Sequence, residues 1–279
     1  MKYKILFSDY DGTFQSLEWG EAIPEFMIEA VQNFRKAGGK FVLCSGRPLF
    51  SQIYLAEKYG LVCDANIASQ GSVIAVDGKI IKKSGITFET VTKVIKILDK
   101  FGRDYASYID GDLYYHGNSE VMKWYLDFYK ATKIPVEDYL TSPITVNGLH
   151  EKIIITKYPD EDLSDIAEAI KKECGDVLEV NSGASTILEL VDKTCTKYEA
   201  CKVIADYFGI DEEDCITMGD STNDLTLVKF GLAIGVEGGH PDLINAVNYV
   251  APSIENFPVK KVIDDLIAGN DIKEIYKKR

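Results

Sequence analysis

Apolar and polar positions fall into two rhythms that alternate along the chain. Residues 5–8 form a short apolar run that stops at Asp9, which predicts a buried strand. From Pro24 onward, Met27, Ile28, Val31 and Phe34 recur at helical spacing, and the pattern ends at Gly38-Gly39. A second strand is predicted over residues 41–44, a helix over about 50–59 and a third strand over 65–68. Strand, helix, strand in this order predicts a parallel sheet covered on both faces. Residues 73–76 and 79–82 flank Asp77-Gly78, a two-residue hairpin signal.

The rhythm changes near Ser84-Gly85. Phe88, Val91, Val94, Ile95, Leu98 and Phe101 make one apolar helical face. Strands are predicted over 105–109 and 113–116 around Asp110-Gly111, then near 152–157, 177–180 and 186–191, with helices near 120–130 and 161–172. After about Asp192 the first rhythm returns. Thr196 and Glu199 fit a capping box, N-cap and N3, for a helix running through Val203, Ile204 and Phe208 to Gly209. Strands follow at 215–218, 232–234 and 249–251. The expected fold class is α/β. A Rossmann-like parallel-sheet core is built from residues 1–82 and 193–279, with an inserted α+β domain at 83–192.

Composition narrows the function without naming it. The 279 residues suffice for one large or two modest domains, and 46% apolar with 27% charged residues is ordinary for a globular protein. A net charge of −13 argues against nucleic acid and anionic membrane surfaces as partners. No run approaches the roughly 20 apolar residues of a membrane span, and no secretory signal is visible, so a cytoplasmic location is expected. Cys44, Cys63, Cys174, Cys195, Cys201 and Cys215 form no Cys-x-x-Cys pair, which predicts free thiols. The three histidines are too scattered for a histidine-based site.

Four segments carry candidate chemistry, three of them at predicted strand ends, where open α/β sheets place ligands. In Asp9-Tyr10-Asp11-Gly12-Thr13, a turn at Gly12 lets two carboxylates converge, an arrangement that repulsion disfavours without a metal or a shared proton. One acid could attack phosphorus while the other donates and accepts a proton. A solvated acidic turn is the plainer alternative. A calcium loop is disfavoured because Gln15 and Leu17 stand where ligands are needed. Ser45-Gly46-Arg47 offers a hydroxyl and an amide for a phosphate oxygen, or is merely a turn. Lys197 sits at a helix start, where a cation is disfavoured unless an acidic cluster partners it. Gly219-Asp220-Ser221-Thr222-Asn223-Asp224 supplies oxygen ligands suited to magnesium, or Asp220 is an N-cap.

Taken together, Asp9-x-Asp11-Gly12-Thr13, Ser45-Gly46-Arg47, Lys197 and Gly219-Asp220-x-x-Asn223-Asp224 closely resemble the haloacid dehalogenase-like phosphatases of the Cof type. The resemblance covers the whole chain and puts the large cap between the second and third motifs. It implies Asp9 as nucleophile and Asp11 as general acid and base. Ser45, Lys197, Asn223 and the amides near Gly12 and Gly46 would serve the phosphoryl group. Mg2+ would be held by Asp9, Asp220 and the main-chain oxygen of Asp11, with Asp224 supporting the metal waters and the lysine. The implied substrate is a small phosphorylated metabolite, a sugar phosphate or similar, and the implied assembly is a monomer or weak homodimer.

The resemblance has departures. Gln70-Gly71-Ser72 replaces a usual Asn-Gly-Ala, residues 235–239 replace a Met-x-Asn-Ala-like segment, and residues 255–259 lack the usual Asp-Gly-Val; none of these falls on the expected phosphoryl chemistry. Asp192-Lys193-Thr194-Cys195-Thr196 resembles an ion-pump phosphorylation signature, but such pumps need membrane spans, and Asp192 is read as part of the return from the inserted domain. Tyr108, Asp112, Tyr114 and His116 are either substrate readers or ordinary strand residues. The competing functions are phosphomutase-type transfer, which the cap position disfavours, and a non-catalytic phospho-ligand binding module, which the intact acids and lysine disfavour.

Overall fold

The computed structural model describes residues 1–16, 20, 22–128, 132–182 and 186–278. In chain order the elements are β1 (Ile5–Asp9), α1 (Glu25–Lys36), β2 (Lys40–Cys44), α2 (Leu49–Tyr59), β3 (Ala65–Ala68), β4 (Val73–Val76) and β5 (Lys79–Lys83). Then come α3 (Phe88–Lys100), β6 (Tyr105–Ile109), β7 (Asp112–His116), α4 (Glu120–Phe128), β8 (Lys133–Pro135), α5 (Pro143–Asn147) and β9 (His150–Thr156). The chain continues through α6 (Ser164–Cys174), β10 (Leu178–Ser182), β11 (Ile187–Asp192), α7 (Lys197–Phe208) and β12 (Cys215–Gly219). It closes with β13 (Leu232–Val236), α8 (Pro241–Ala246), β14 (Tyr249–Ala251), α9 (Pro258–Ala268) and α10 (Ile272–Ile275). Two compact units result: Met1–Lys82 with Thr196–Arg279, and Lys83–Cys195.

The first unit is built on a sheet of order β14-β13-β12-β1-β2-β3-β4-β5. Its first six strands in that order are mutually parallel, and the β3–β4 pair is antiparallel. The hairpin after β4 turns at Asp77 (φ 47°) and Gly78 (φ 74°), two successive left-handed residues as a tight hairpin turn requires. Strand period sorts the core. Leu6 joins the cluster beneath α1 and α9, while Ile5 and Phe7 join the one beneath α7. Asp9 continues the parity of Ile5 and Phe7, so its carboxylate points to the α7 side.

Helix α7 begins where the Thr196 hydroxyl accepts the Glu199 amide at 3.2 Å, and it ends at Gly209 (φ 63°). Its buried face is Lys197, Ala200, Cys201, Ile204 and Ala205, so the first-turn lysine lies on the same stripe as the apolar residues. Helix α9 is absent from the sequence reading, although Val259, Val262, Ile263 and Leu266 stand at helical spacing and are all buried. No α-helix starts directly after Asp220. Two short 3-10 turns, Thr222–Asp224 and Leu227–Lys229, replace it.

The second unit holds a sheet of order β10-β11-β9-β6-β7-β8, antiparallel apart from the β7–β8 pair. Helices α3 and α6 cover one face through Val91, Val94, Ile95, Leu98, Ile166 and Ile170 against Ile153, Ile155, Leu188 and Leu190. Strand β8 and helix α5 were not predicted, and α6 starts three residues after the expected position. The helix expected over 120–130 is seen to Phe128, and Tyr129 and Lys130 lie outside the described residues. Tyr108 bonds Tyr125 at 2.8 Å and is fully buried. Tyr114 belongs to the core beneath α3, and His116 Nδ1 lies 3.0 Å from the Val136 carbonyl. These three side chains have structural partners inside their own unit.

The described cysteines are all free thiols. No helix among the described residues is long and apolar enough to cross a membrane.

Candidate active site

Strand ends bring the four segments together. Asp9 ends β1, Ser45 follows β2, Asp220 follows β12, and Lys197 opens α7 on the side to which Asp9 points. The Lys197 ammonium donates to Asp9 Oδ1 and to Asp224 Oδ1, each at 2.6 Å, and the lysine side chain has no solvent exposure. A buried ammonium needs this partnership, because burial alone would favour its neutral form. Burial pulls the Lys197 pKa down, but Asp224 and Asp9 outweigh that and hold it above the ordinary value. The cation at a helix N-terminus, disfavoured by the helix dipole, is thus explained by its two acids.

Asp224 is oriented by its own turn. Its Oδ2 accepts the amides of Asp220 and Ser221, both at 3.2 Å, and Ser221 is the N-cap of a capping box with Asp224 at N3. Ser221, rather than Asp220, therefore caps this turn. That frees Asp220, whose Oδ1 accepts the Thr13 hydroxyl at 2.7 Å. Gly12 (φ 85°) permits the approach, since a Cβ there would lie 2.4 Å from Asp220 Oδ2. Gly239 and His240 close the far side: the His240 amide donates to the Asp220 carbonyl at 2.6 Å.

The cluster carries excess negative charge. Asp9, Asp220 and Asp224 each offer an oxygen within 4.8 Å of the others, facing the one ammonium of Lys197. Desolvation, then Asp224, pushes the Asp9 pKa well above the carboxylate range, with Lys197 opposing. Desolvation likewise lifts Asp220 to about 6, against the Thr13 hydrogen bond. Both oxygens of Asp224 are spent on Lys197 and the two amides. Asp9 and Asp220 each keep an oxygen with no hydrogen bond among the described residues. Three buried or half-buried carboxylates with unbalanced charge fit a divalent cation such as magnesium.

Asp11 stands apart from that cluster. Its carboxylate meets Arg47 in a bidentate pair, at 2.8 Å to Nε and 2.7 Å to an Nη, and the guanidinium lies 4.8 Å from the Tyr10 ring centre. The Ser45 hydroxyl accepts the Arg47 amide at 3.0 Å. The structure thus unites Asp9, Gly12, Lys197, Asp220 and Asp224, with Asp11, Ser45 and Gly46 joined through Arg47. Asn223 is not among them: it is exposed, and its Oδ1 accepts the Ser221 hydroxyl at 2.5 Å. The Gln15 Nε2 donates to the carbonyls of Gly20 (3.2 Å) and Ala22 (2.9 Å), and Leu17 lies outside the described residues. Asp192 caps its own turn, accepting the Thr194 amide at 2.8 Å.

Sequence reasoning named Arg47, Thr13 and Gln70 without giving any of them a role in the site. Two of the segments that depart from the family pattern border the site. Gly239 packs on the Asp220 carbonyl, and a Cβ on Gly46 would lie 2.8 Å from Gln70 Nε2.

Residues 6–263 match the family described as haloacid dehalogenase-like hydrolases. YxeH of Bacillus subtilis (strain 168), a provisionally assigned phosphatase, is 24% identical over 277 residues, covering 95% of this chain and 98% of its own. The crystal structure of TM0651 from Thermotoga maritima superposes with a TM-score of 0.82 at 23% identity, over 94% of this chain and 97% of that one. BT4131, described as a subclass IIB sugar phosphatase, gives a TM-score of 0.77 at 22% identity, over 94% of this chain and 98% of its own.

Proposed function

The chain belongs to the haloacid dehalogenase-like hydrolases and is a phosphatase of their Cof-type branch; from that premise we propose that it hydrolyses a small phosphorylated metabolite through a phosphoryl group carried on Asp9. The observation that carries this reading is the Lys197 ammonium bridging Asp9 and Asp224 at 2.6 Å beside Asp220. One oxygen of Asp9 is fixed by the lysine, which leaves the other to attack phosphorus.

In the first half-reaction the free Asp9 oxygen bonds to phosphorus as the ester oxygen leaves. That oxygen takes a proton from the Asp11 carboxyl. In the second, Asp11 takes a proton from water, whose oxygen attacks phosphorus and releases phosphate and the Asp9 carboxylate. Lys197 holds Asp9 in place and offsets charge, while the Ser45 hydroxyl and the amides near Gly12 and Gly46 hold phosphoryl oxygens. Asp9, Asp220 and the main-chain oxygen of Asp11 would hold magnesium, which supplies charge neutralisation when bound. Asp224 positions Lys197. Asn223 is assigned to the rim of the phosphate site, with its Oδ1 held by the Ser221 hydroxyl.

Residues 83–192 are assigned as the cap, 1–82 and 193–279 as the catalytic core, and the protein as a cytoplasmic monomer or weak homodimer. Support for a sugar phosphate as substrate is the fold shared with BT4131. A panel of sugar phosphates, nucleotides and flavin or pyridoxal phosphates, assayed with and without magnesium, tests the reading. Selective magnesium-dependent turnover of a small phosphate ester is expected, and turnover of none of them contradicts it.

A further inference from the structure

The segment after β3 is strained at a point that touches the site. Ser69 (φ 48°), Gln70 (φ 61°) and Gly71 (φ 108°) are three successive residues with positive φ. For the two that carry a Cβ this is an unfavourable conformation, and such outliers persist only where the surroundings enforce them. Here the enforcement is visible. The Ser69 amide donates to the Arg47 carbonyl at 3.0 Å and the Gln70 amide to the Ser45 carbonyl at 3.3 Å. Gly71 lies so close to the start of α7 that a Cβ would sit 2.5 Å from the Thr196 carbonyl. The turn therefore ties the Ser45–Arg47 loop to the backbone that presents Lys197.

Those bonds are made by the backbone and explain the turn, but not the side chain at its centre. A left-handed position is occupied with less strain by glycine or asparagine. Glutamine adds length, and its carboxamide makes no hydrogen bond among the described residues. That carboxamide lies directly over Gly46, whose missing Cβ leaves the room for Nε2. It is partly exposed and neutral. Gly46 and its chain neighbour Ser45 are the residues read above as the phosphate cradle, and the Gln70 amide is tied to the Ser45 carbonyl.

We propose that the Gln70 carboxamide is a further phosphate-binding group, donating from Nε2 to a phosphoryl oxygen held over Gly46. The proposal rests on the phosphatase reading of the same site. A neutral donor there strengthens anion binding without adding a cation that would compete for Asp11 or Asp9. The strained backbone fixes its reach.

The test is binding of inorganic phosphate, measured calorimetrically with magnesium present, to the full chain and its Gln70→Ala, Gln70→Glu and Gln70→Gly variants. Loss of one hydrogen bond to a charged group predicts about tenfold weaker phosphate binding for Gln70→Ala. The KM for an aryl phosphate should rise by a similar factor while kcat stays within about threefold. Gln70→Glu should weaken phosphate binding further, by like-charge repulsion. Gln70→Gly accepts the left-handed backbone, so it should melt no lower than the wild type and still bind phosphate weakly. Phosphate affinity within twofold of the wild type in all three variants, or no phosphate binding by the wild type, overturns the proposal. A wild type that binds phosphate but turns over no ester refutes the phosphatase reading alone, and the affinities still decide for Gln70.

Discussion

Arg47 grips both carboxylate oxygens of Asp11, 36 residues earlier in the chain, while its guanidinium lies against the ring of Tyr10. The pair is half-exposed, with 24% of the Arg47 side chain and 37% of Asp11 open to solvent. A pair so placed contributes only about 0–1 kcal/mol to stability. Its use is therefore to fix the direction of Asp11. Lysine keeps the charge but not the fork. Arg47→Lys should lower kcat about tenfold, with unfolding free energy within about 1 kcal/mol of the wild type. Steady-state kinetics and urea denaturation check both, and unchanged kcat removes Arg47 from the account.

Lys197 is the opposite case, a fully buried cation between two buried acids. Removing one partner of such a group leaves uncompensated charge and destabilises by about 3–5 kcal/mol. Lys197→Met should show a loss of that size in denaturant melts without metal, together with loss of turnover. A change below about 1 kcal/mol would mean that the acids are already neutralised by something else.

Gly12 is held at φ 85°, and its absent Cβ leaves room for Asp220. Gly12→Ala should displace the Asp220 carboxylate, because the new atom would stand 2.4 Å from Oδ2 in a backbone conformation that alanine resists. A shift of that kind costs on the order of 10²-fold in rate. Magnesium should also raise the melting temperature of the variant less than that of the wild type. Equal metal-induced shifts in both would contradict the placement of Asp220 as a metal ligand.

Legibility in the sequence tracked locality. Asp9 could be read because Ile5, Phe7 and Asp9 share one parity of a short strand, and Lys197 because a capping threonine fixes the first turn of α7. Arg47 could not be given a partner, since only the turn at Gly12 swings Asp11 toward it. Asn223 and Asp224 part ways for a local reason: Ser221 takes the N-cap, which turns Asp224 inward and Asn223 outward. Strand β8 went unread because it is three residues long and ends in Pro135, which suits only an edge. Gln70 was noticed only as a departure from pattern, because its positive φ leaves no mark in composition.

His150 gives the second unit an acid-sensitive point. It is wholly buried, with Nδ1 2.9 Å from the Ser107 hydroxyl and Nε2 2.8 Å from the Thr145 carbonyl. Desolvation lowers its pKa below the ordinary 6.5, opposed by the Thr145 carbonyl. The folded state thus disfavours the proton that the unfolded chain accepts. Its stabilisation is complete above about pH 6.5 and is lost as pH falls toward the depressed folded value. Between pH 7 and pH 5, wild-type stability should fall more steeply than that of His150→Gln, by up to about 1.4 kcal/mol per pH unit. Parallel profiles in denaturant melts would exclude His150 as the source.

The central claim is that Asp9, held by Lys197, is the nucleophile of a magnesium-dependent phosphatase. The most direct measurement is phosphate release from an aryl phosphate with magnesium, comparing the wild type with Asp9→Asn. The wild type should turn over only with the metal, and Asp9→Asn should lose on the order of 10³-fold or more in kcat while remaining folded. Undiminished activity in Asp9→Asn, or a wild type that releases no phosphate with magnesium, would contradict it.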